Sequence, residues 1–216
     1  VGSGNDWVKS TGVPRDLSSA VSCIAEGNTG PQDVVKVTTG ESVSYMANIG
    51  GVGLDARVCE IVNRKKEQGR RGKHLYVSAL LYCIRHRMPV SARIICDGKE
   101  IFNGKYLSLA FGVGRYSGGG MRQTPDAEMD DGLLDMTIIP DLPIMTIAKE
   151  APKLFTGTFL KVPELVSCRG RSIEVYPYGD KAYEPVEVDG EVVGKVPVVF
   201  EVMQDQINVM TGLHRH

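Results

Sequence analysis

The feature that most constrains the fold is a series of short apolar segments with a two-residue period, separated by turn residues. Two of them, 34–38 and 42–46, are joined by Thr39-Gly40-Glu41, which is a hairpin signal. The others are 91–96, 100–102, 105–111, 134–139, 173–176, 186–188, 198–203 and 206–210. Many short strands with turn signals between them predict a β-sandwich.

Helical patterns interrupt these strands. Residues 55–68 and 74–87 carry apolar side chains at helical spacing, and 144–155 is a third candidate helix. Before the first strand, residues 17–25 have helical spacing and follow a short helix capped by Asp6. The segment Gly27 to Pro31 is rich in turn residues and is predicted to be a linker. The fold class expected is therefore mainly β with helical insertions (α+β).

Composition excludes several classes of protein. The net charge of −1 over 216 residues, with a pI near 6.5, argues against a broad electrostatic grip on nucleic acid. Five cysteines, an odd number without C-x-x-C spacing, indicate reduced thiols in a cytoplasmic protein. No apolar run reaches the roughly 18 residues that span a bilayer, and no signal peptide is visible.

Three strings pair carboxylates with glycine, and they are spread over nearly the whole chain. They are Gly2-Ser3-Gly4-Asn5-Asp6, Asp130-Asp131-Gly132-Leu133-Leu134-Asp135 and Asp189-Gly190-Glu191. Glycine lets the backbone approach a ligand closely or adopt a positive φ. Carboxylates supply hard oxygen for Mg²⁺ or accept a proton. Together the strings suggest a phosphate-handling site assembled from distant segments.

Each string also has a simpler interpretation on spacing alone. The first is a glycine-rich loop, and the second is an Asp-Gly turn before an apolar strand. The third is a hairpin turn, in which Glu187 and Glu191 would be solvated strand residues. The loop from Gly112 to Gly120 either offers N–H groups and Arg115 to a phosphate or simply connects two strands.

The segment 64–73 contains six cations and one glutamate between two predicted helices. Its simplest interpretation is a solvated helix end, because cations are favourable there. The alternative is a contact with anionic lipid or phosphate. The four histidines form no cluster in the sequence, which argues against a histidine-based triad or metal site.

In this order the strings resemble the diacylglycerol kinase catalytic family, which includes sphingosine kinases and bacterial soluble lipid kinases. The first string and Trp7 are similar to the family's G-T-x-N-D-F element, and Asp189-Gly190-Glu191 is similar to the motif that carries its catalytic base. Two further matching stretches are 47–56, read as a strand-to-helix segment, and 114–135, read as the family's most recognisable region.

The resemblance implies a two-domain lipid kinase, with an α/β nucleotide domain followed by a β-sandwich. The family's G-G-D-G-T/S nucleotide motif is absent, so the chain is expected to be the C-terminal domain with a helical remnant of the first. Residues 1–30 would be the edge of the nucleotide-binding domain and a linker, 31–212 the β-sandwich, and 213–216 an added tail. Alone, this fragment is expected to be inactive.

The family's nucleotide-binding roles fall on the first string. Ser3 is expected to contact ATP, Asp6 to join the Mg²⁺–water network at the phosphates, and Asn5 belongs to the same group. Two departures from the family pattern stand out. Ser3 replaces the usual Thr and keeps a hydroxyl, whereas Gly112 replaces a common Asn and loses its polar side chain.

The other roles fall on the second and third strings. Asp131, with the backbone carbonyls of Glu128 and Leu133, is expected to hold a second, structural Mg²⁺. Glu191 is expected to be the general base on a lipid hydroxyl. Phosphoryl transfer depends on positioning and charge stabilisation, so these are the parts it needs.

The function that follows is ATP-dependent phosphorylation of a lipid alcohol, diacylglycerol-like or a sphingoid base. One alternative is an NAD kinase-like small-molecule kinase, which would be expected to show a T-P-T-G-S-T-A-Y-like string that this chain lacks. Another is a non-catalytic lipid- or metal-binding module. The expected partners are the missing N-terminal nucleotide domain and a lipid alcohol at the membrane surface, with a homodimer as a further option. Nucleic acid is not expected. The expected location is cytoplasmic and peripheral to the membrane.

Overall fold

The computed structural model describes residues 5–70, 74–86, 89–179 and 184–212. Within them, eleven strands form one antiparallel sheet. The strands are β1 (Thr29–Thr39), β2 (Ser42–Met46), β3 (Ile49–Gly53), β4 (Val90–Cys96), β5 (Lys99–Gly112), β6 (Leu134–Pro140), β7 (Val166–Gly170), β8 (Ser172–Tyr178), β9 (Pro185–Val188), β10 (Glu191–Lys195) and β11 (Val198–Met210). The predicted β-rich fold is confirmed.

The sheet curls until its ends meet. Its order is β10-β9-β3-β5-β4-β8-β11-β1-β2, and β6 pairs with β5 and β7 beside this path. A Cβ on Gly194 of β10 would lie 2.2 Å from Thr39 Oγ1 of β1, so glycine at 194 leaves room for the Thr39 side chain where the two strands meet. The enclosed space is a sandwich-like core in which the rings of Phe111 and Phe200 stack 4.0 Å apart.

The helices lie outside this core. They are α1 (Asp6–Thr11), α2 (Leu17–Glu26), α3 (Leu54–Glu67), α4 (His74–Arg85), α5 (Ile144–Glu150) and α6 (Lys153–Thr156). α3 and α4 pack on each other through a separate apolar cluster of Val58, Val62, Ala79 and Cys83. Both predicted helices are confirmed within two residues, although Arg87 lies outside the described residues. The third candidate is two helices, because Pro152 has no N–H to continue the first.

Several predicted boundaries differ from the structure. The linker predicted at 27–31 is wrong from Thr29 onward. β1 begins at that residue, and Thr29 pairs with Met210 of β11. The sequence of β1 becomes apolar only at Val34. Residues 29–32 are strand because they pair with β11, which the local sequence does not show. A division of the chain into domains at residue 30 stays a prediction, although that point falls inside a strand. The segments 100–102 and 105–111 are one strand, as are 198–203 and 206–210.

Candidate active site

The string Asp189-Gly190-Glu191 forms a tight hairpin turn. Val188 of β9 pairs with Glu191 of β10, so Asp189 and Gly190 are the two loop residues. Both have positive φ, +49° and +93°, as the turn that best matches strand twist requires. The hairpin predicted from Asp-Gly is confirmed, and Glu191 lies exposed directly after it.

The Asp189 carboxylate locks this turn onto the connection between β2 and β3. It accepts hydrogen bonds from the backbone N–H groups of Ala47 at 2.7 Å, Asn48 at 3.0 Å and Ile49 at 3.0 Å. In return, the N–H of Asp189 donates to the Ile49 carbonyl at 2.9 Å. A carboxylate bound by three N–H groups is held more firmly than a neutral side chain would be.

Gly190 is held from two other sides. Its N–H donates to Glu187 Oε2 at 3.0 Å, and its carbonyl accepts from Cys59 Sγ and Asn63 Nδ2, both at 2.9 Å. Burial raises the pKa of the Cys59 thiol to about 12, so the thiol keeps the proton that it donates. Helix α3 therefore fixes the turn that presents Glu191.

Glu187 is buried, so the interpretation of Glu187 as a solvated strand residue was wrong. Burial raises its pKa to about 8, the charges of Asp55 and Asp189 add to this, and the Gly190 N–H opposes it. β9 is buried on both faces, with Val186 and Val188 beside Glu187. The apolar neighbours were the signal that this strand does not face water.

A second carboxylate, Asp55, lies next to Glu187 at the start of α3. Asp55 Oδ2 accepts from Ser108 Oγ at 2.8 Å and from Gln123 Nε2 at 2.9 Å. Burial raises the pKa of Asp55, and these two hydrogen bonds oppose the rise. A Cβ on Gly51 would lie 3.0 Å from Asp55 Cβ and 3.2 Å from Glu187 Oε1, so the two acids face each other across Gly51. Asp55 stands in the stretch 47–56 recognised in the sequence, but no role was predicted for it.

Asp6 approaches the same region from α1. Its Oδ2 accepts from the Gly119 N–H at 2.7 Å, and its Oδ1 pairs with Lys9. The Tyr76 hydroxyl lies beside Gly118, 2.9 Å from where a Cβ would stand. Burial raises the pKa of Tyr76, and the charges of Asp55, Glu187, Cys59 and Asp6 add to the rise. The Tyr76 hydroxyl therefore lies beside the loop that Asp6 binds, and its pKa responds to Asp6 and to the Glu187–Asp55 pair.

The remaining residues of the first string are only partly described. Asn5 precedes α1 with φ of +52°, and no side-chain hydrogen bond to the helix is formed there. Ser3 lies outside the described residues. Trp7, next to Asp6, donates to Gln32 Oε1 at 2.9 Å, and Gln32 donates to the Ala47 carbonyl at 2.6 Å. This chain of contacts fixes α1 against the β2–β3 connection.

The glycine-rich loop after β5 is tied down from within. Arg115 Nε donates to the Ala127 carbonyl at 2.7 Å, so this N–H is directed at the protein. At Gly112, a Cβ would lie 2.3 Å from Thr124 Oγ1, which donates to the Gly114 carbonyl at 2.8 Å. The Thr124 hydroxyl therefore fills the space that an Asn side chain at 112 would need.

The Asp131 loop makes a different set of contacts. Asp131 accepts from the Leu133 N–H at 3.0 Å and pairs with Arg169 of β7, which also binds Asp135 at 2.9 Å. Glu128 is exposed. Sequence reasoning missed Asp33, which accepts from the N–H groups of Gly132 at 2.7 Å and Asp205 at 2.8 Å.

The structure thus brings Asp6 and the Asp189-Gly190 turn to one region and attaches the Asp131 loop elsewhere, to β1, β7 and β11. In the described part of the chain, no three His, Cys, Asp or Glu side chains are grouped so that they could hold a metal ion. The role predicted for Asp131 needs only one carboxylate and two carbonyls, so it stays a prediction.

Comparison with known proteins decides the family. Residues 48–211 match the family described as the YegS C-terminal NAD kinase beta sandwich-like domain. The chain belongs to this family. The match covers the candidate site from Asn48 to Glu191 and confirms the resemblance and the fold class.

Relatives of this family member carry kinase names. The chain is 24% identical over 215 residues to a diacylglycerol kinase of Mycobacterium tuberculosis, and the match covers 99% of this chain and 68% of the relative. It is 32% identical over 174 residues to a Xanthomonas axonopodis pv. citri protein named "Probable lipid kinase YegS-like", covering 79% and 54%.

A crystal structure of a Bacillus anthracis str. Sterne protein superimposes on this family member with a TM-score of 0.76. The sequence identity is 22%, and the match covers 98% of this chain and 66% of that one. At this identity the likeness shows the fold alone. The chain thus spans between 54% and 68% of the length of these relatives.

Proposed function

We propose that this chain is the C-terminal part of a lipid kinase that transfers the γ-phosphoryl group of ATP to a lipid alcohol, diacylglycerol-like or a sphingoid base. The observation that carries the proposal is the exposed Glu191 at the end of a turn that is held by the β2–β3 connection, by helix α3 and by Glu187 of its own hairpin. The names of the relatives support the class of reaction, and they concern proteins longer than this chain.

In the proposed reaction, Glu191 accepts the proton of the lipid hydroxyl as that oxygen bonds to the γ-phosphorus of ATP, and the bond from this phosphorus to ADP breaks. Asp189 and Gly190 hold Glu191 so that little reorganisation is needed at that moment. Asp6 and Ser3 serve the nucleotide, which the preceding domain would bind. Mg²⁺ bound with ATP would neutralise the charge that develops on the phosphoryl oxygens.

The negative charge around Asp131 favours a hard cation there, but Arg169 already occupies part of this carboxylate. Asp131 supplies a carboxylate, and its charge adds to the burial that raises the pKa values of Asp33 and Asp135, so negative charge is concentrated there. Arg169 already pairs with Asp131. We therefore propose that Asp131, with the carbonyls of Glu128 and Leu133, holds Mg²⁺ in competition with Arg169.

Mg²⁺ at millimolar concentration is expected to raise the melting temperature of this chain, and Asp131→Asn is expected to remove the response. The reason is that Asn keeps the shape but loses the charge that the ion needs. Thermal shift and calorimetry would measure both. Arg169→Gln, which removes the competing cation, should tighten binding. A response that survives Asp131→Asn would contradict the assignment.

We propose that the protein binds an anionic membrane through the exposed surface of the helix pair α3–α4, and that it reaches its lipid substrate there. Val77, Leu81 and Tyr82 of α4 are 54%, 62% and 56% exposed. They lie within five residues of one another on a single helix, so they form a local apolar patch. Arg64 and Lys66, near the end of α3, are exposed cations. No helix in the described ranges is long and apolar enough to cross a bilayer.

The double variant Arg64→Gln, Lys66→Gln is expected to lower binding to phosphatidylglycerol vesicles by roughly tenfold or more, since each cation near an anionic surface contributes about 1 kcal/mol. Co-sedimentation would measure it. Lys99→Gln with Lys105→Gln, exposed cations on β5, is the matched control. Equal losses of vesicle binding in the two double variants would show that binding depends only on net charge and not on the α3–α4 surface.

The proposed function is tested by incubating the longer protein with ATP, Mg²⁺ and a panel of lipid alcohols in anionic vesicles. Phosphorylation of one of them is expected, and residues 1–216 alone are expected to give none, because the nucleotide motif is absent. If no lipid is phosphorylated while ATP is bound, the proposal is wrong. Turnover by residues 1–216 would overturn the two-domain interpretation.

A further inference from the structure

We propose that Glu187 is a positioning residue that sets the orientation of Glu191, and that its carboxyl does so in the protonated form. The proposal rests on the proposed role of Glu191. Glu187 is four residues before Glu191 on the paired strand, and its Oε2 accepts the Gly190 N–H at 3.0 Å. It therefore acts on the backbone immediately before Glu191.

The location of the proton follows from hydrogen-bond donors. Asp189 accepts three backbone N–H groups, and Asp55 accepts from Ser108 and Gln123. Glu187 accepts one N–H and is buried between these two acids. Because it has the fewest donors to stabilise a negative charge, it is the acid that keeps a proton.

The groups around Glu187 also favour its protonated form. Asp189 lies in the same hairpin, and Asp55 lies across Gly51 at the start of α3. The charge of Glu187 contributes to raising the pKa values of the Cys59 thiol on α3 and the Tyr76 phenol on α4. All four are acids. Oε1 lies on the side of Asp55, across Gly51, and Oε2 is bound to Gly190, so the proton belongs on Oε1. Burial together with Asp55 and Asp189 brings the pKa of Glu187 to about 8.

Loss of that proton has a structural consequence. It places a third negative charge beneath the turn, next to Asp55 and Asp189. Repulsion at that point is expected to move the turn, and Glu191 with it, away from the geometry that accepts a proton. Gln at 187 resembles the protonated acid at every pH, because its amide oxygen can accept the Gly190 N–H and its NH₂ can face Asp55.

The test measures kcat and KM of the longer protein from pH 6 to 9.5 for the wild type, Glu187→Gln and Glu187→Ala. The wild type should lose kcat as pH rises through about 8. Glu187→Gln should keep kcat at pH 7 within about threefold and lose this alkaline fall, while Glu187→Ala should lower kcat about tenfold or more at unchanged KM for ATP. An unchanged alkaline fall in Glu187→Gln, or activity lost as completely as in Glu191→Gln, would overturn the proposal.

A second measurement does not depend on activity. The pKa of Glu187 is higher in the folded chain than in the unfolded one, so its contribution to stability is present at low pH and lost as pH rises toward about 8. Urea unfolding of residues 1–216 between pH 5 and 9 should show a smaller loss of stability in Glu187→Gln than in the wild type, because the other buried acids, such as Asp55, titrate in both.

The two measurements separate the two proposals. If the longer protein phosphorylates no lipid but Glu187→Gln reduces the pH-dependent loss of stability, the proposed function is wrong and the protonated Glu187 stands. If the protein is active and neither measurement responds to Glu187→Gln, the positioning role of Glu187 is wrong and the function stands.

Discussion

Replacing Glu191 with glutamine is expected to lower kcat of the longer protein by about 10²–10⁴-fold, which is the usual contribution of general base catalysis. Gln keeps the size of Glu and part of its hydrogen bonding but cannot take the proton of the attacking hydroxyl. KM for ATP should change far less, because the nucleotide is bound by other residues. Initial rates at varied ATP with saturating lipid measure both quantities.

The matched control is Glu201→Gln. Glu201 is also an exposed strand glutamate, on β11, where it pairs with Lys36 at 3.4 Å. It should leave kcat unchanged, and both variants should keep the free energy of unfolding within about 0.5 kcal/mol of the wild type. If Glu191→Gln is as active as the control, the Asp189-Gly190-Glu191 string is only a turn.

Much of the fold could be predicted because it depends on local patterns. The alternation Val90, Ala92, Ile94 marks a strand with one buried face, and the structure buries all three. Asp189-Gly190 predicts a hairpin, since a tight turn needs positive φ at both positions. The apolar face of α3 predicted a helix that begins within one residue of its observed start.

The contacts that shape the candidate site could not be predicted, because they join residues far apart in the sequence. Asp189 binds N–H groups at 47–49, and Asp33 binds those of Gly132 and Asp205. Nothing near Glu187 in the sequence shows that Asp55 faces it. Burial of an acid is a property of the assembled sheet, so the hairpin interpretation that placed Glu187 in water failed there.

Asp189→Ala is expected to destabilise residues 1–216 by roughly 2–4 kcal/mol and to lower kcat of the longer protein about tenfold or more. Three N–H groups lose a charged acceptor. A hydrogen bond to a charged group contributes about 1.5–3 kcal/mol, and water can replace the acceptor at the two exposed N–H groups. Alanine also tolerates the positive φ of +49° less well than aspartate does. Urea unfolding and initial rates, measured where both variants are folded, would give the two effects.

The chain contains a matched control for this prediction in a second Asp-Gly hairpin, between β4 and β5. Asp97 has φ of +48°, and its carboxylate accepts from the N–H groups of Arg171 and Ser172, both at 2.9 Å. Its own N–H donates to the Ser172 carbonyl at 2.9 Å, as that of Asp189 does to Ile49. Asp97→Ala should therefore destabilise the chain by a similar amount and leave kcat of the folded protein unchanged, because Lys99, and not an acid, follows that turn. Equal losses of kcat in the two variants would mean that activity follows stability, and that the Asp189 turn has no special role in presenting Glu191.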